Sequence, residues 1–131
     1  MKLKGLGVDI FERKRMQAAL KRASASGFLR RVFRKEEIAG VKNPTVYSIN
    51  FAVKEAVLKA LGMGWNAYAN FLDIRVTLKG NTVSVVLSGK TKALAGKMGV
   101  KKIVCDHTVS PRHVVAVAAL LGVTPTGITR R

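Results

Sequence analysis

At 131 residues the chain is long enough for one domain with a real core and short for two. Apolar residues make up 48% of it, which excludes a disordered tail, and no apolar run is long enough to span a membrane as a helix. Against 24 Lys and Arg stand only seven Asp and Glu, and the resulting +17 selects polyanionic partners: nucleic acid, an acidic protein or a phosphorylated ligand. Basic Met1–Lys4 passes straight into Gly5-Leu6-Gly7 and Asp9, so no signal-peptide core is expected. The one cysteine, Cys105, excludes an internal disulfide, and a cytoplasmic protein is the expectation.

In chain order, Lys2–Ile10 reads as a strand leading to Asp9, and Phe11–Ala25 turns helical through Met16, Ala19, Leu20 and Ala23. After the Ser24-to-Gly27 break, a second short helix carries Phe28, Leu29, Val32 and Phe33, with a further helical turn at Arg34–Ile38. Gly40–Pro44 is a loop. The strongest helix is Thr45–Leu61, where Ile49, Val53, Ala56, Val57 and Ala60 recur at helical spacing and Gly62 supplies the stop. Phe71–Leu78 and Thr82–Leu87 alternate as strands around the Lys79-Gly80-Asn81 turn. Ser88–Met98 is a helix with Ser88 as N-cap, and Lys101–Val109 and His113–Leu121 are strands joined around Pro111. The pattern predicts a single α+β domain over 1–122, helices mostly on one side of the sheet, and a tail over 123–131.

In so basic a chain the carboxylates repay individual reading. Asp9 stands between Val8 and Ile10 at the end of an apolar strand, and Glu55 stands inside the most apolar helix. Two such carboxylates brought together from different elements would suit a hard cation such as Mg2+, which takes phosphate oxygens and water as further ligands. The pattern alone equally allows an exposed Glu55–Lys59 ion pair and an Asp9 that caps the helix beginning near Phe11.

Gly7-Val8-Asp9-Ile10 with Glu12 and Arg15, and the run Phe51-Ala52-Val53-Lys54-Glu55-Ala56-Val57-Leu58-Lys59-Ala60-Leu61-Gly62-Met63-Gly64, resemble the two signatures of holo-acyl-carrier-protein synthases. Weaker blocks follow in family order at Phe71–Ile74, Leu87–Lys90, Leu94-Ala95 and Gly99–Lys102, so the resemblance spans about residues 3–122. It implies the 4'-phosphopantetheinyl transferase fold, mainly antiparallel sheet packed against helices. It also implies transfer of 4'-phosphopantetheine from coenzyme A to a serine of an acidic carrier protein, with adenosine 3',5'-bisphosphate released. By resemblance, Asp9 and Glu55 hold Mg2+ and Lys59 stabilises phosphate charge, while Lys54, Gly62 and Gly64 join Lys59 on the coenzyme A side. The resemblance places basic residues of the first helix against the carrier, Arg15 at a family position. Arg22 and Arg31 are added from charge and spacing. Family members of this size are commonly trimers, which would bring Asp9 and Glu55 together across a subunit interface.

Several positions depart from the pattern. Asn50 stands where an arginine is usual, a change that would weaken the grip on ligand phosphate or shift it to a neighbouring base, and Val109 stands where the late strand usually carries histidine. His107, two residues earlier, shares that strand face. His113 stands where tyrosine is frequent and is given no role. Trp65 and Tyr68 follow the glycine turn and suit either an adenine contact or core closure, and Cys105 reads as core. Two other functions stay open: a basic nucleic-acid-binding protein, which explains the charge but not the two motifs, and a catalytically weak relative that binds carrier or coenzyme A without turnover.

Overall fold

The computed structural model describes residues 1–63 and 70–123. Gly64, Trp65, Tyr68 and most of the expected tail therefore lie outside the described residues. The order is β1 (Lys2–Glu12), α1 (Arg13–Lys21), α2 (Ala25–Val32), α3 (Lys35–Ile38) and α4 (Pro44–Ala60). A single 3-10 turn (Phe71–Asp73) leads into β2 (Ile74–Lys79) and β3 (Thr82–Leu87), followed by α5 (Gly89–Lys97), β4 (Val100–Val109) and β5 (His113–Gly122).

Two antiparallel sheets form rather than one continuous sheet: β1-β5-β4 and the β2-β3 hairpin. The hairpin turns at Gly80, whose φ of +58° is the left-handed conformation such a turn uses. β1 runs two residues further than its sequence suggests because Phe11 and Glu12 pair with Val114 and His113. Phe11 therefore enters the core as a strand residue, and the first helix starts at Arg13 rather than Phe11.

Helix α4 begins with the Asn43 side chain accepting from Thr45 N (3.0 Å) and Pro44 in the first turn, where its missing N–H costs nothing. It ends where Gly62 takes φ +72° and Met63 N donates to Leu58 O at 2.9 Å. Between those ends Ala52, Val53, Ala56 and Val57 are buried against the inward face of β5, where Val114, Ala116, Ala118 and Leu120 are equally inaccessible. Small side chains on both surfaces set a close helix–sheet approach, and β1 completes it with glycine. A Cβ on Gly7 would overlap the carbonyl oxygen of Ala56, and one on Gly5 that of Ala60.

Smaller devices hold the periphery. Ser88 occupies the N-cap position of α5 but makes no capping bond with its side chain. Asp73 performs that task from outside the helix, Oδ2 accepting from Thr91 N (3.3 Å) and Thr91 Oγ1 (3.0 Å). Arg13 is likewise structural: its guanidinium donates to Ser110 O at 2.9 Å and Thr45 Oγ1 at 2.6 Å, tying α1 to the β4–β5 turn and α4. Among the described residues no helix is long and apolar enough to cross a membrane.

Candidate active site

Alternation along β1 sends Gly7, Asp9 and Phe11 inward toward α4 and Leu6, Val8 and Ile10 outward. Because the two glycines admit α4 so closely, Asp9 arrives beside the helix face that carries Glu55 and Lys59, one turn apart. Lys59 Nζ donates to Asp9 Oδ1 at 3.0 Å and to Val8 O at 3.1 Å. Lys59 thus pairs with Asp9 and not with Glu55, and Asp9 does not cap α1. Asp9 Oδ2 is buried with no hydrogen-bond partner.

Glu55 feels Asp9 electrostatically. Burial, and then the Asp9 charge, raise its carboxyl above the ordinary glutamate range, while Lys59 and Arg15 pull it back. Asp9 and Glu55 therefore come within electrostatic reach of each other inside one chain. An orphaned buried carboxylate oxygen beside a second, destabilised carboxylate fits a hard cation's preference for oxygen donors. Among the described residues no cluster of three or more metal-ligating side chains occurs.

Glu55 and Lys59 open on a cleft of about 820 Å3. Its floor is apolar, with Phe28, Phe51, Leu58, Met63 and Phe71, and its rim carries Arg15, Arg30, Arg31 and Lys59 beside Glu55. Phe51 and Phe71 stack at 5.6 Å between centroids, and Phe28 leans on Phe51 at 6.3 Å. A smaller pocket of about 230 Å3 adjoins it, sharing Arg15, Phe28, Arg31 and Phe51 and adding Arg22. Arg15, Arg22 and Arg31 are all exposed, and Arg15 also lies over the Phe11 ring at 5.5 Å. Gly62 closes the helix, whereas its neighbour Met63 lines the cleft.

Lys54 departs from the coenzyme A role expected of it. Its side chain is 0% exposed, and Nζ donates to Val32 O (2.7 Å), Glu37 Oε1 (2.7 Å) and Phe71 O (3.1 Å). All three ammonium donors are thus spent inside the protein. Burial pulls its ammonium below the ordinary lysine range, opposed by the hydrogen bond and charge of Glu37.

Glu37, to which the sequence reading gave no role, is the hub of this interior. It accepts from Arg34 N (2.8 Å), Lys54 Nζ, Asn50 Nδ2 (3.2 Å) and Val76 N (2.9 Å). Its position three residues after the helix-starting Arg34 is the one local signal that could have flagged it. Asn50 consequently faces Glu37 and the β2 hairpin rather than the cleft. His107, Val109 and His113 do not line the cleft, and burial pushes the Cys105 thiol up to about 11, which keeps it protonated and unreactive.

The profile of the 4'-phosphopantetheinyl transferase superfamily matches residues 5–118. A holo-[acyl-carrier-protein] synthase of Clostridium kluyveri is 41% identical over 105 residues, covering 76% of this chain and 75% of that one. Among solved structures, the acyl carrier protein synthase of Plasmodium yoelii with ADP bound superposes with a TM-score of 0.82 at 27% identity, covering 94% of this chain and 98% of that one. The holo-[acyl-carrier-protein] synthase of Helicobacter pylori in complex with coenzyme A gives 0.78 at 25%, covering 88% and 99%. The fold is that of a phosphopantetheinyl transferase. Within that superfamily the chain belongs to the holo-[acyl-carrier-protein] synthase family.

Proposed function

We propose that the protein transfers 4'-phosphopantetheine from coenzyme A to a serine of an acidic apo-acyl-carrier protein in the cytoplasm, with Mg2+ held by Asp9 and Glu55. The observation that carries this reading is the meeting of Asp9 with Glu55 and Lys59, the latter two lining an apolar cleft with a basic rim. In the transfer the serine oxygen forms a new bond to the β-phosphorus. The bond to the bridging oxygen breaks, its electron pair leaves with adenosine 3',5'-bisphosphate, and the serine hydroxyl proton is released to water. A divalent cation at the carboxylate pair would supply charge neutralisation for the phosphate oxygens. Lys59 adds a positive charge at the same edge, placed where charge grows as the P–O bond lengthens. The aromatic floor suits the pantetheine arm and keeps water from competing with the serine.

Arg15, Arg22 and Arg31 form an exposed basic edge next to the aromatic pocket, suited to an acidic recognition helix of the carrier. With that role the excess positive charge no longer calls for nucleic acid. On the outward face of the β1-β5-β4 sheet, Leu6, Val8 and Ile10 are 58%, 47% and 66% exposed, with Val104 of β4 also exposed on the far side of β5. Such an uncovered apolar face supports assembly, and we read it as the interface of a homotrimer, with neighbouring subunits bordering each cleft.

Incubation with apo-acyl-carrier protein, coenzyme A and Mg2+ tests the reading by mass spectrometry. A carrier heavier by one phosphopantetheine, formed only while the divalent cation is free of chelator, is the expected result. Tight binding of both substrates with no mass gain identifies the weak relative instead.

A further inference from the structure

Lys59 and the candidate cation have claims on the same carboxylate. Lys59 Nζ bonds Asp9 Oδ1 at 3.0 Å, while Asp9 Oδ2 is buried and unpartnered, so one ammonium is the bonded counter-charge of a largely desolvated carboxylate. The two side chains differ in exposure, 52% for Lys59 and 12% for Asp9. Asp9 is therefore fixed, and Lys59 is the member free to move. Its second bond, to Val8 O at 3.1 Å, is exposed and weakly held, so the part-buried bond to Asp9 is its main tether. The stem already borders the cleft with Arg15 and Arg31, so the ammonium has an open path away from Asp9.

We propose that Lys59 is a displaceable counter-ion of Asp9. It occupies the carboxylate in the metal-free protein, gives it up when a divalent cation arrives, and then presents its ammonium to the cleft as an anion-binding group. The proposal rests on the reading that Asp9 and Glu55 hold the cation. It makes cation loading and anion capture mutually reinforcing, because the same side chain must leave one partner before it serves the other. Without Lys59 the buried Asp9 charge would have no bonded cation among the described residues.

The test is titration of the coenzyme-free protein with Mn2+, followed by the electron paramagnetic resonance signal of the free ion. Lys59→Met should tighten Mn2+ binding about tenfold by removing the competitor. Arg15→Gln removes a charge that also faces Glu55 but has no bond to Asp9, and should change it about threefold or less. Equal effects, or no tightening in Lys59→Met, overturn the exchange. Asp9→Asn separates the two ideas: if it binds Mn2+ as tightly as the parent, the cation assignment itself is wrong. A second readout needs no variant. Acetic anhydride should label Lys59 of the parent faster with Mn2+ present than without, read by peptide mass spectrometry, and unchanged or slower labelling overturns the proposal.

Discussion

Gly7 lies against Ala56 so closely that any side chain at position 7 would overlap the helix backbone. This contact brings Asp9, two residues along the same strand face, to the turn of α4 that carries Glu55 and Lys59. Gly7→Ala should therefore cost about 3 kcal/mol or more, since neither backbone can yield without moving the sheet. Gly96→Ala is the control. It sits in α5 with open space around it and should stabilise by about 0.5–1 kcal/mol. Chemical denaturation of both variants checks the pair.

Glu55→Gln keeps the side-chain shape and removes the charge that suits a hard cation. The fold should persist while Mg2+-dependent turnover falls at least about a hundredfold, and Asp9→Asn should behave alike. The double variant should be little worse than either single one because the two carboxylates act together. Steady-state rates at limiting Mg2+ decide it.

The raised Glu55 carboxyl gives pH dependence a definite sign. Its folded pKa lies above the ordinary value of 4.5, so the folded protein binds this proton more readily than the unfolded chain. Stability of the metal-free protein should fall as pH rises from that value through the folded pKa, and Glu55→Gln should flatten the fall. Cation affinity should run the other way, growing as the carboxyl ionises. Thermal unfolding with and without Mg2+ across this range, for parent and variant, measures both.

Arg22 borders only the smaller pocket, whereas Arg15 and Arg31 border both cavities. Arg22→Glu is therefore the cleaner probe of carrier docking. It should raise the KM for carrier about tenfold, with coenzyme A binding unchanged. Added salt should reproduce the effect in the parent, since exposed charges are screened over about 8 Å at physiological ionic strength. Equal weakening of both substrates would move Arg22 to the coenzyme A site.

Lys54→Met leaves Glu37 buried without its cation and should destabilise the protein by about 3–5 kcal/mol. Adding Glu37→Gln should recover part of that loss. A retained fold with abolished coenzyme A binding would instead return Lys54 to the ligand.

Strand alternation, the Gly80 hairpin and the long apolar α4 were legible because each rests on local periodicity and turn chemistry. That Asp9, Glu55 and Lys59 come together was suggested by two isolated carboxylates and by the resemblance to a family, and by no local pattern, since Asp9 and Glu55 lie far apart in the chain. Gly5 and Gly7 held an unread signal: two glycines on one strand face mark a close backbone approach, here by α4 of the same chain. Lys54 was misplaced for the opposite reason. A lysine beside a candidate ligand looks like part of its site, and its true acceptors, Val32 O, Glu37 and Phe71 O, are tertiary neighbours that no local pattern announces. The start of α1 was blurred because Phe11 satisfies a helical spacing and a strand ladder alike, and pairing with β5 decides it.

The two faces of β1 carry different obligations on alternate residues. Odd positions from Gly7 to Phe11 answer to the helix and the chemistry, and even positions from Leu6 to Ile10 answer to whatever covers the outward face. The two sets can diverge independently by substitution, so a lineage could remodel its outer contacts and leave the reaction untouched. A single-residue insertion or deletion has no such freedom: it reverses parity along the strand, turning the aspartate outward and an isoleucine or valine into its place. The segment should therefore tolerate changes of letter far more readily than changes of length.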